Sequence, residues 1–269
     1  MTDIIEVHEA AGVPRMRSWT YDSANSYLKS LGLPPHLIDF LMSVARVESR
    51  QRGDVLAYGQ EWIHIIVHGV IKETTPHGTT RLWRKGAILG DISRVMLRRG
   101  NADESGSRGS GTHITFLSSG LSLSLTTRTL ALLIEREPAL ALFVAQLTND
   151  RAQTVESVYA VSKADPIVRV ARLLRYLVPF SRRRERDGTR FRWTRTGVHA
   201  VPEDALTLTG PSQADISDAL GLGRTTVEKA IALLRAEGIL AALPPGTRSN
   251  RYYQIMDYTR LTSLARSES

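Results

Sequence analysis

The chain has 269 residues, 42% of them hydrophobic, which is enough for a packed core in one large domain or two ordinary ones and excludes wholesale disorder. Its formal charge of +8 at pH 7 favours a polyanionic partner, and the absence of cysteine excludes disulfides, cysteine nucleophiles and cysteine-ligated zinc or iron–sulfur clusters.

The opening stretch MTDIIEVHEAAGVPR has neither a basic n-region nor an apolar h-region, and no run of about 18 apolar residues occurs anywhere, so a soluble cytoplasmic protein without a membrane partner is expected. Residues 1–25 read as an N-terminal extension. Residues 26–45 hold two short helical patterns broken at Gly32 and Pro34–Pro35, with Leu37, Phe40, Leu41 and Val44 at helical spacing. From Arg46 to about residue 130 the period changes to short β-rich runs, WIHIIVHGVIKETT, TTRLWR, THITF and LSLSLTT, separated by glycine-bearing turn signals. Leu121, Leu123 and Leu125 alternate with Ser122 and Ser124, the pattern of a strand buried on one face. An antiparallel β-roll over 26–129 follows. Within it, RRGNADESGSRGSG at 98–111 is too polar and glycine-rich to bury a core and reads as a mobile loop. A phosphate-cradling glycine loop is the sharper alternative, although the spacing fits neither the dinucleotide nor the P-loop pattern.

The pattern turns helical near Leu130, breaks at Pro138 and runs to about Val161, so 130–164 reads as a long helix and hinge. Leu140, Val144, Leu147, Arg151, Thr154 and Val158 follow alternating four- and three-residue steps, the spacing of a two-stranded seam that Arg151 and Thr154 weaken. A dimer helix is the preferred reading, and a helix packed on its own barrel is the other. Asp165–Pro166 then opens a new helix, with Asp165 as N-cap and Pro166 at the first position, and marks the boundary of a unit spanning 165–269. This unit holds most of the basic excess, with 17 Lys/Arg against 11 Asp/Glu, where residues 1–164 hold 18 against 16. Its basic stretch at 181–197, SRRRERDGTRFRWTRTG, contains an Asp187–Gly188 turn signal for a hairpin. It is either a solvated face or a phosphate contact.

Residues 212–236 carry the most specific pattern. Ser212 can cap a helix whose Asp215, three residues on, closes an acidic capping box. Gly221 falls where that helix must end in a left-handed residue. A second helix, about 224–236, follows across a tight turn. Ile216, Leu220, Leu222, Val227 and Ala230 or Ile231 form the inward set, and Ser217 is small where the second helix approaches. Arg224, Thr225, Glu228 and Lys229 are left outside at the N-terminal end of the second helix, the end that enters a major groove. Arg and Lys can reach guanine, and Thr can reach a thymine methyl or a phosphate. Ser212 and Gln213, at a helix N-terminus, and Thr226 are placed for phosphate. Residues 239–256 read as strand, Pro-Pro-Gly turn and strand, a wing with Arg248 and Arg251 near its turn as further phosphate contacts.

With these motifs in place, the chain after about residue 26 resembles the cyclic-AMP receptor protein (CRP/FNR) family of transcription regulators, most specifically in QADISDALGLGRTTVEKAIALLRAEGIL. The resemblance implies an α+β fold: an N-terminal antiparallel β-roll, a long dimerisation helix and a C-terminal winged helix-turn-helix. It also implies a homodimer on double-stranded DNA with half-sites roughly 34 Å apart, and RNA polymerase as a partner if the protein activates. In the family's base-reading positions Arg224 is retained, Thr225 replaces Glu, and Lys229 replaces Arg, so a different operator is expected because Lys lacks the bidentate fork. In the family's phosphate cassette, Gly90–Asp91 matches Gly-Glu with a shorter acid. Ser110-Gly111-Thr112 stands where Arg-Ser-Ala is expected, so the arginine that pairs with the phosphate is missing, and Arg108 in the glycine-rich loop is a poor substitute. On the helix Thr154 matches a purine-contacting position while Val155 replaces its neighbouring hydroxyl. These departures predict weak or absent cyclic-AMP binding, with the pocket of Gly90, Asp91, Ser110, Thr112 and Thr154 either a degenerate scaffold or a site for an unidentified small-molecule effector. No cofactor is expected: iron–sulfur sensing is excluded, and His64, His68 and His77 read as structural rather than as haem ligands. A sensor acting mainly through a protein partner is the alternative function. No P-loop, HExxH, GxSxG or paired-cysteine motif occurs, so an enzyme is not expected.

Overall fold

The computed structural model describes residues 13–56, 61–92, 95, 112–160, 163–178, 190–194, 197–201, 206–242 and 251–267. Ser110, Arg108, Arg248, the 98–111 loop and Asp187–Gly188 lie outside the described residues. Two helices, α1 (Val13–Ser30) and α2 (Pro35–Val44), lead into the strands. Helix α1 begins well before residue 26, so the division at 25/26 falls inside a helix and is corrected: its buried face, with Ala24, Tyr27 and Leu28, crosses that point without a break.

Strands β1 (Arg46–Arg50), β2 (Val55–Leu56), β3 (Trp62–His68), β4 (Ile71–Thr74), β5 (Thr80–Trp83), β6 (Ile88–Leu89), β7 (His113–Phe116) and β8 (Gly120–Thr126) form two four-stranded antiparallel sheets, in the orders β1-β8-β3-β6 and β2-β7-β4-β5. This is the expected roll. Strand β8 is buried on both faces rather than one. Leu121, Leu123 and Leu125 pack under the helices, while Ser122 and Ser124 are also enclosed, Ser124 Oγ lying 2.8 Å from His64 Nδ1. His64 is thereby a buried structural residue.

Helix α3 (Thr127–Arg136) is capped by Thr126 and ends before Pro138, where α4 (Pro138–Thr154) starts and continues as a π-helical turn, Val155–Tyr159. The break at Pro138 stands where the missing N–H puts it. The seam assignment, in contrast, is corrected. Leu140, Val144 and Leu147 are no more than 3% exposed and lie in the core formed with Ile63, Ile65 and the β8 leucines, while Val158 is buried in the C-terminal core. The stripe at seam spacing packs on the chain's own roll, because burying about 1.5–3 kcal/mol of side chain per residue favours whichever apolar surface lies nearest. The outward face instead carries Leu142, 75% exposed, with Ala145, Asn149 and Ala152 following at three- and four-residue steps.

In the C-terminal unit, Asp165 accepts a bond from the Ile167 N–H at 2.9 Å and opens α5 (Pro166–Leu177), as its sequence requires. Strands β9 (Arg190–Thr194) and β10 (Gly197–Val201) pair antiparallel with Gly197 opposite Thr194, a register centred later in the chain than the Asp187–Gly188 signal. Strand β11 (Leu206–Thr209), helices α6 (Gln213–Leu220) and α7 (Arg224–Ala236), strand β12 (Tyr252–Ile255) and helix α8 (Tyr258–Arg266) complete the unit. Strand β12 pairs with β11 on one side; on the other, where the wing pairing was expected, the Leu240–Ile255 bridge is flanked by bonds from the Ala241 N–H to the Gln254 carbonyl and from the Met256 N–H to the Ile239 carbonyl, both at 2.9 Å, while 243–250 lies outside the described residues. Helix α8 was not legible beforehand; Asp257 caps it and its own Leu261 is fully buried on its inner face.

The two units share a core. Val70, Leu82 and Leu117 of the roll join Leu173, Leu174, Leu208, Ile216 and Val227. Among the described residues polar ties also cross the junction, one of them from Arg84 Nη1 to the Val178 carbonyl at 3.4 Å. The Tyr159 hydroxyl donates to the Leu82 carbonyl at 2.6 Å and accepts from its N–H at 2.9 Å. Lys72 Nζ donates to Asp215 Oδ1 at 3.1 Å and to Asp218 Oδ2 at 2.8 Å.

Candidate nucleic-acid interface and the interior of the roll

The opening of α6 follows from its capping box. The Ser212 hydroxyl accepts from the Asp215 N–H at 3.1 Å and donates to the Asp215 carboxylate at 2.7 Å, while the Ser212 N–H donates to the same carboxylate at 2.9 Å. Burial opposes the charged Asp215, yet the two bonds from Ser212 and the ammonium of Lys72 outweigh it and hold its carboxyl below the usual range. Gly221 ends the helix at φ 59°, in the left-handed region that glycine adopts without steric cost. Three residues later α7 begins. Ser217 does more than yield space: its hydroxyl donates to the Leu222 carbonyl at 2.5 Å, and the Leu222 N–H donates to the Ser217 carbonyl at 3.1 Å, so the turn is bonded from both sides. The Arg169 guanidinium also donates to the Leu220 carbonyl, fastening the end of α6 to α5.

The inward face holds Ile216, Leu220, Val227, Ala230, Ile231 and Leu234, all buried, with Leu222 packed half-buried against them. With that face locked, Arg224, Thr225 and Lys229 are exposed, and Glu228 and Thr226 are half-exposed. Arg224 Nε lies 3.0 Å from Glu228 Oε1 along the helix, a surface pair of about 0.3–0.5 kcal/mol that a base edge can displace. The structure therefore brings together the four candidate base-reading residues on the first turn and a half of α7. Ser212 is different. Its hydroxyl is engaged in the cap and the residue is 6% exposed, which removes it as a phosphate contact; Gln213 stays accessible at the same helix end. Arg251 is half-buried beside β12, and its carbonyl accepts from Gly210.

The interior of the roll is filled. Leu56, Ile66, Ile71, Trp83, Leu89, Ile114 and Phe116 occupy it, and each is no more than 1% exposed. Across one side lies a polar cluster that the sequence did not announce. Glu73, 3% exposed, accepts from Trp83 Nε1 at 2.7 Å and from Arg151 at 3.0 and 3.1 Å. Arg151 also donates to the Ile88 carbonyl at 2.9 Å and lies 5.0 Å above the Trp83 ring. Of the candidate effector residues, Ser110 lies outside the described residues and the others are placed as follows. Thr154 lines a cavity of about 340 Å³ with Arg84, Lys85, Arg151 and Tyr176, of which Gly90, Asp91 and Thr112 form no part. Gly90 sits at φ 120° with room for no side chain, since a Cβ there would fall 2.3 Å from the Trp62 carbonyl oxygen. Among the described residues no group of three His, Asp or Glu side chains is arranged to hold a metal ion.

The described residues thus combine a β-roll, a helix from Pro138 to Tyr159, and a C-terminal part in which two helices meet across a tight turn beside a small sheet. No known family model and no curated protein matches the sequence. In fold, however, the chain is similar to solved CRP/FNR-type regulators. FixK2 from Bradyrhizobium japonicum is 18% identical with a TM-score of 0.53 over 84% of this chain and 100% of its own. A CRP-family transcriptional regulator from Thermus thermophilus is 16% identical with a TM-score of 0.52 over 82% of this chain and 97% of its own. CooA from Carboxydothermus hydrogenoformans, in a mutant form, is 15% identical with a TM-score of 0.51 over 89% and 95%. Among the described residues no helix is long and apolar enough to cross a membrane.

Proposed function

We propose that the protein is a sequence-specific DNA-binding transcription regulator, acting as a homodimer on a two-fold symmetric operator and binding cyclic AMP weakly or not at all. The observation that carries this reading is the helix-turn-helix itself: one face of α7 is locked into the core while Arg224, Thr225 and Lys229 stand exposed at its N-terminal end. A helix so held can lay that end in a major groove, with Arg224 on guanine and Lys229 on guanine or phosphate. Gln213, Thr226 and Arg251 are the described phosphate-contact candidates. The outward stripe of α4 that starts at Leu142 is the surface offered to a second copy. The apolar filling of the roll's interior and the commitment of Arg151 to Glu73 support weak cyclic-AMP binding among the described residues.

The test is to incubate the purified protein with fragmented host DNA at moderate salt, sequence what is retained, and repeat with Arg224→Ala plus Lys229→Ala. A palindromic motif that the double variant loses is expected. Equal losses on random DNA and on the motif would show that these residues do not read bases.

A further inference from the structure

A cleft of about 610 Å³ opens at the junction of the two units, within the range of small-molecule sites. One wall comes from the roll and its leading helix: Tyr27 of α1, Leu31 just after it and Lys85 from the β5–β6 turn. The facing wall comes from the C-terminal unit: Leu177 at the end of α5 and Leu208 of β11. Two groups in it lack what their chemistry requires. Tyr27 is 3% exposed, yet its hydroxyl has no hydrogen-bond partner, an omission that native interiors rarely tolerate. Gly86, at φ 95°, faces that hydroxyl, and a Cβ there would stand in ordinary contact 3.6 Å from it. The Lys85 ammonium lies 4.8 Å from the Tyr27 ring centroid, and among the described residues no carboxylate pairs with it. Burial lowers the Lys85 pKa, and burial followed by the nearby Lys85 charge lowers that of His68 in the same wall.

The charge of the occupant follows from what is already engaged. Arg84 also lines the cleft but is partly engaged, with its guanidinium 4.9 Å from the Tyr176 ring and one nitrogen 3.4 Å from the Val178 carbonyl. Asp150 also lines the cleft and disfavours a second negative charge. Among the described residues Lys85 is a cation without a carboxylate partner beside the unbonded Tyr27 hydroxyl, set among Leu31, Val70, Leu147, Leu177 and Leu208, with the hydroxyls of Ser119, Thr207 and Thr209 also on the lining. We propose that this cleft binds a small organic monocarboxylate, its carboxylate on Lys85 and the Tyr27 hydroxyl and its apolar body against these side chains. Because the walls belong to different units, an occupant also favours one arrangement of the helix-turn-helix unit on the roll; this consequence rests on the DNA-binding reading, whereas the binding itself does not.

The test is titration calorimetry on the full-length protein without DNA, using octanoate and phenylacetate as probes, 1-octanol, octylamine and inorganic phosphate as controls, and the variants Lys85→Met and Tyr27→Phe. Saturable binding of a carboxylate probe is expected at one per chain, at least tenfold tighter than any control. Lys85→Met should weaken it about tenfold. Tyr27→Phe should weaken it severalfold while raising the thermal midpoint, because it removes an unsatisfied hydroxyl; a merely structural tyrosine would not give both. Three outcomes overturn the proposal: no binding of either carboxylate at millimolar concentration, octanol or phosphate binding as well as the carboxylates, or affinities unchanged in both variants.

Discussion

Replacement of Arg151 by methionine should destabilise the protein more than any other change in the Glu73–Trp83–Arg151 cluster, and a second substitution should partly undo the damage. The Glu73 side chain is 4% exposed and receives two bonds from Arg151 at 3.0 and 3.1 Å and one from Trp83 at 2.7 Å. At 3 Å and an effective dielectric constant of 20, the pair's attraction is about 5 kcal/mol before desolvation. Arg151→Met leaves a buried carboxylate with one neutral donor, a loss of about 3–5 kcal/mol. Glu73→Gln is milder, about 1–3 kcal/mol, because Arg151 is 20% exposed and keeps the Ile88 carbonyl and the Trp83 ring face. In the double variant, Arg151→Met with Glu73→Gln, the introduced amide oxygen still accepts from Trp83 and no charge is stranded. It should therefore be about 2 kcal/mol more stable than Arg151→Met alone. Urea unfolding followed by circular dichroism at two protein concentrations gives the order. If the double variant falls at the sum of the single losses, the three side chains do not act as a coupled unit. If Arg151→Met strengthens a dimer without loss of stability, the guanidinium faces a partner rather than Glu73.

Gly90→Ala should lower stability by about 3 kcal/mol, since it combines a positive φ with a Cβ 2.3 Å from the Trp62 carbonyl; a melting curve equal to the wild type would show that the turn relaxes freely. The Asp215 carboxyl has a lowered pKa in the folded chain, so its contribution is present above the unfolded value of about 3.9 and lost as pH falls through the folded one; Ser212→Ala should reduce this acid sensitivity below about pH 4, measured by unfolding at stepped pH. Arg224→Ala should weaken binding to a selected operator by about 1–3 kcal/mol with little change on random DNA, read by fluorescence anisotropy at fixed salt. Leu142→Lys should shift sedimentation toward monomer, and an unchanged dimer would place the contact elsewhere.

The parts that were legible in the sequence are those in which neighbouring residues determine the geometry. Ser212 and Asp215 form their cap, Gly221 ends its helix in the left-handed region, and Pro138 and Pro166 sit where their missing N–H groups are harmless. Long-range choices were not legible. The spacing of Leu140, Val144 and Leu147 announces a buried stripe but does not say whether a partner or the chain's own roll covers it. Strand β12 reads as a strand whichever neighbour it takes, and only the structure pairs it with β11. Ser122 and Ser124 suggested a solvent face because small hydroxyls suit water, whereas in the roll both are enclosed and Ser124 is bonded to the buried His64. Glu73 had a usable signal: it shares the inward parity of Ile71 on β4, and a carboxylate on an inward position demands a cation from elsewhere in the chain. That demand also explains why Arg151 interrupts an apolar stripe at seam spacing. An arginine there is a defect in a dimer interface but a necessity opposite a buried Glu73, so one misplaced charge in each of two distant segments is accounted for by the other.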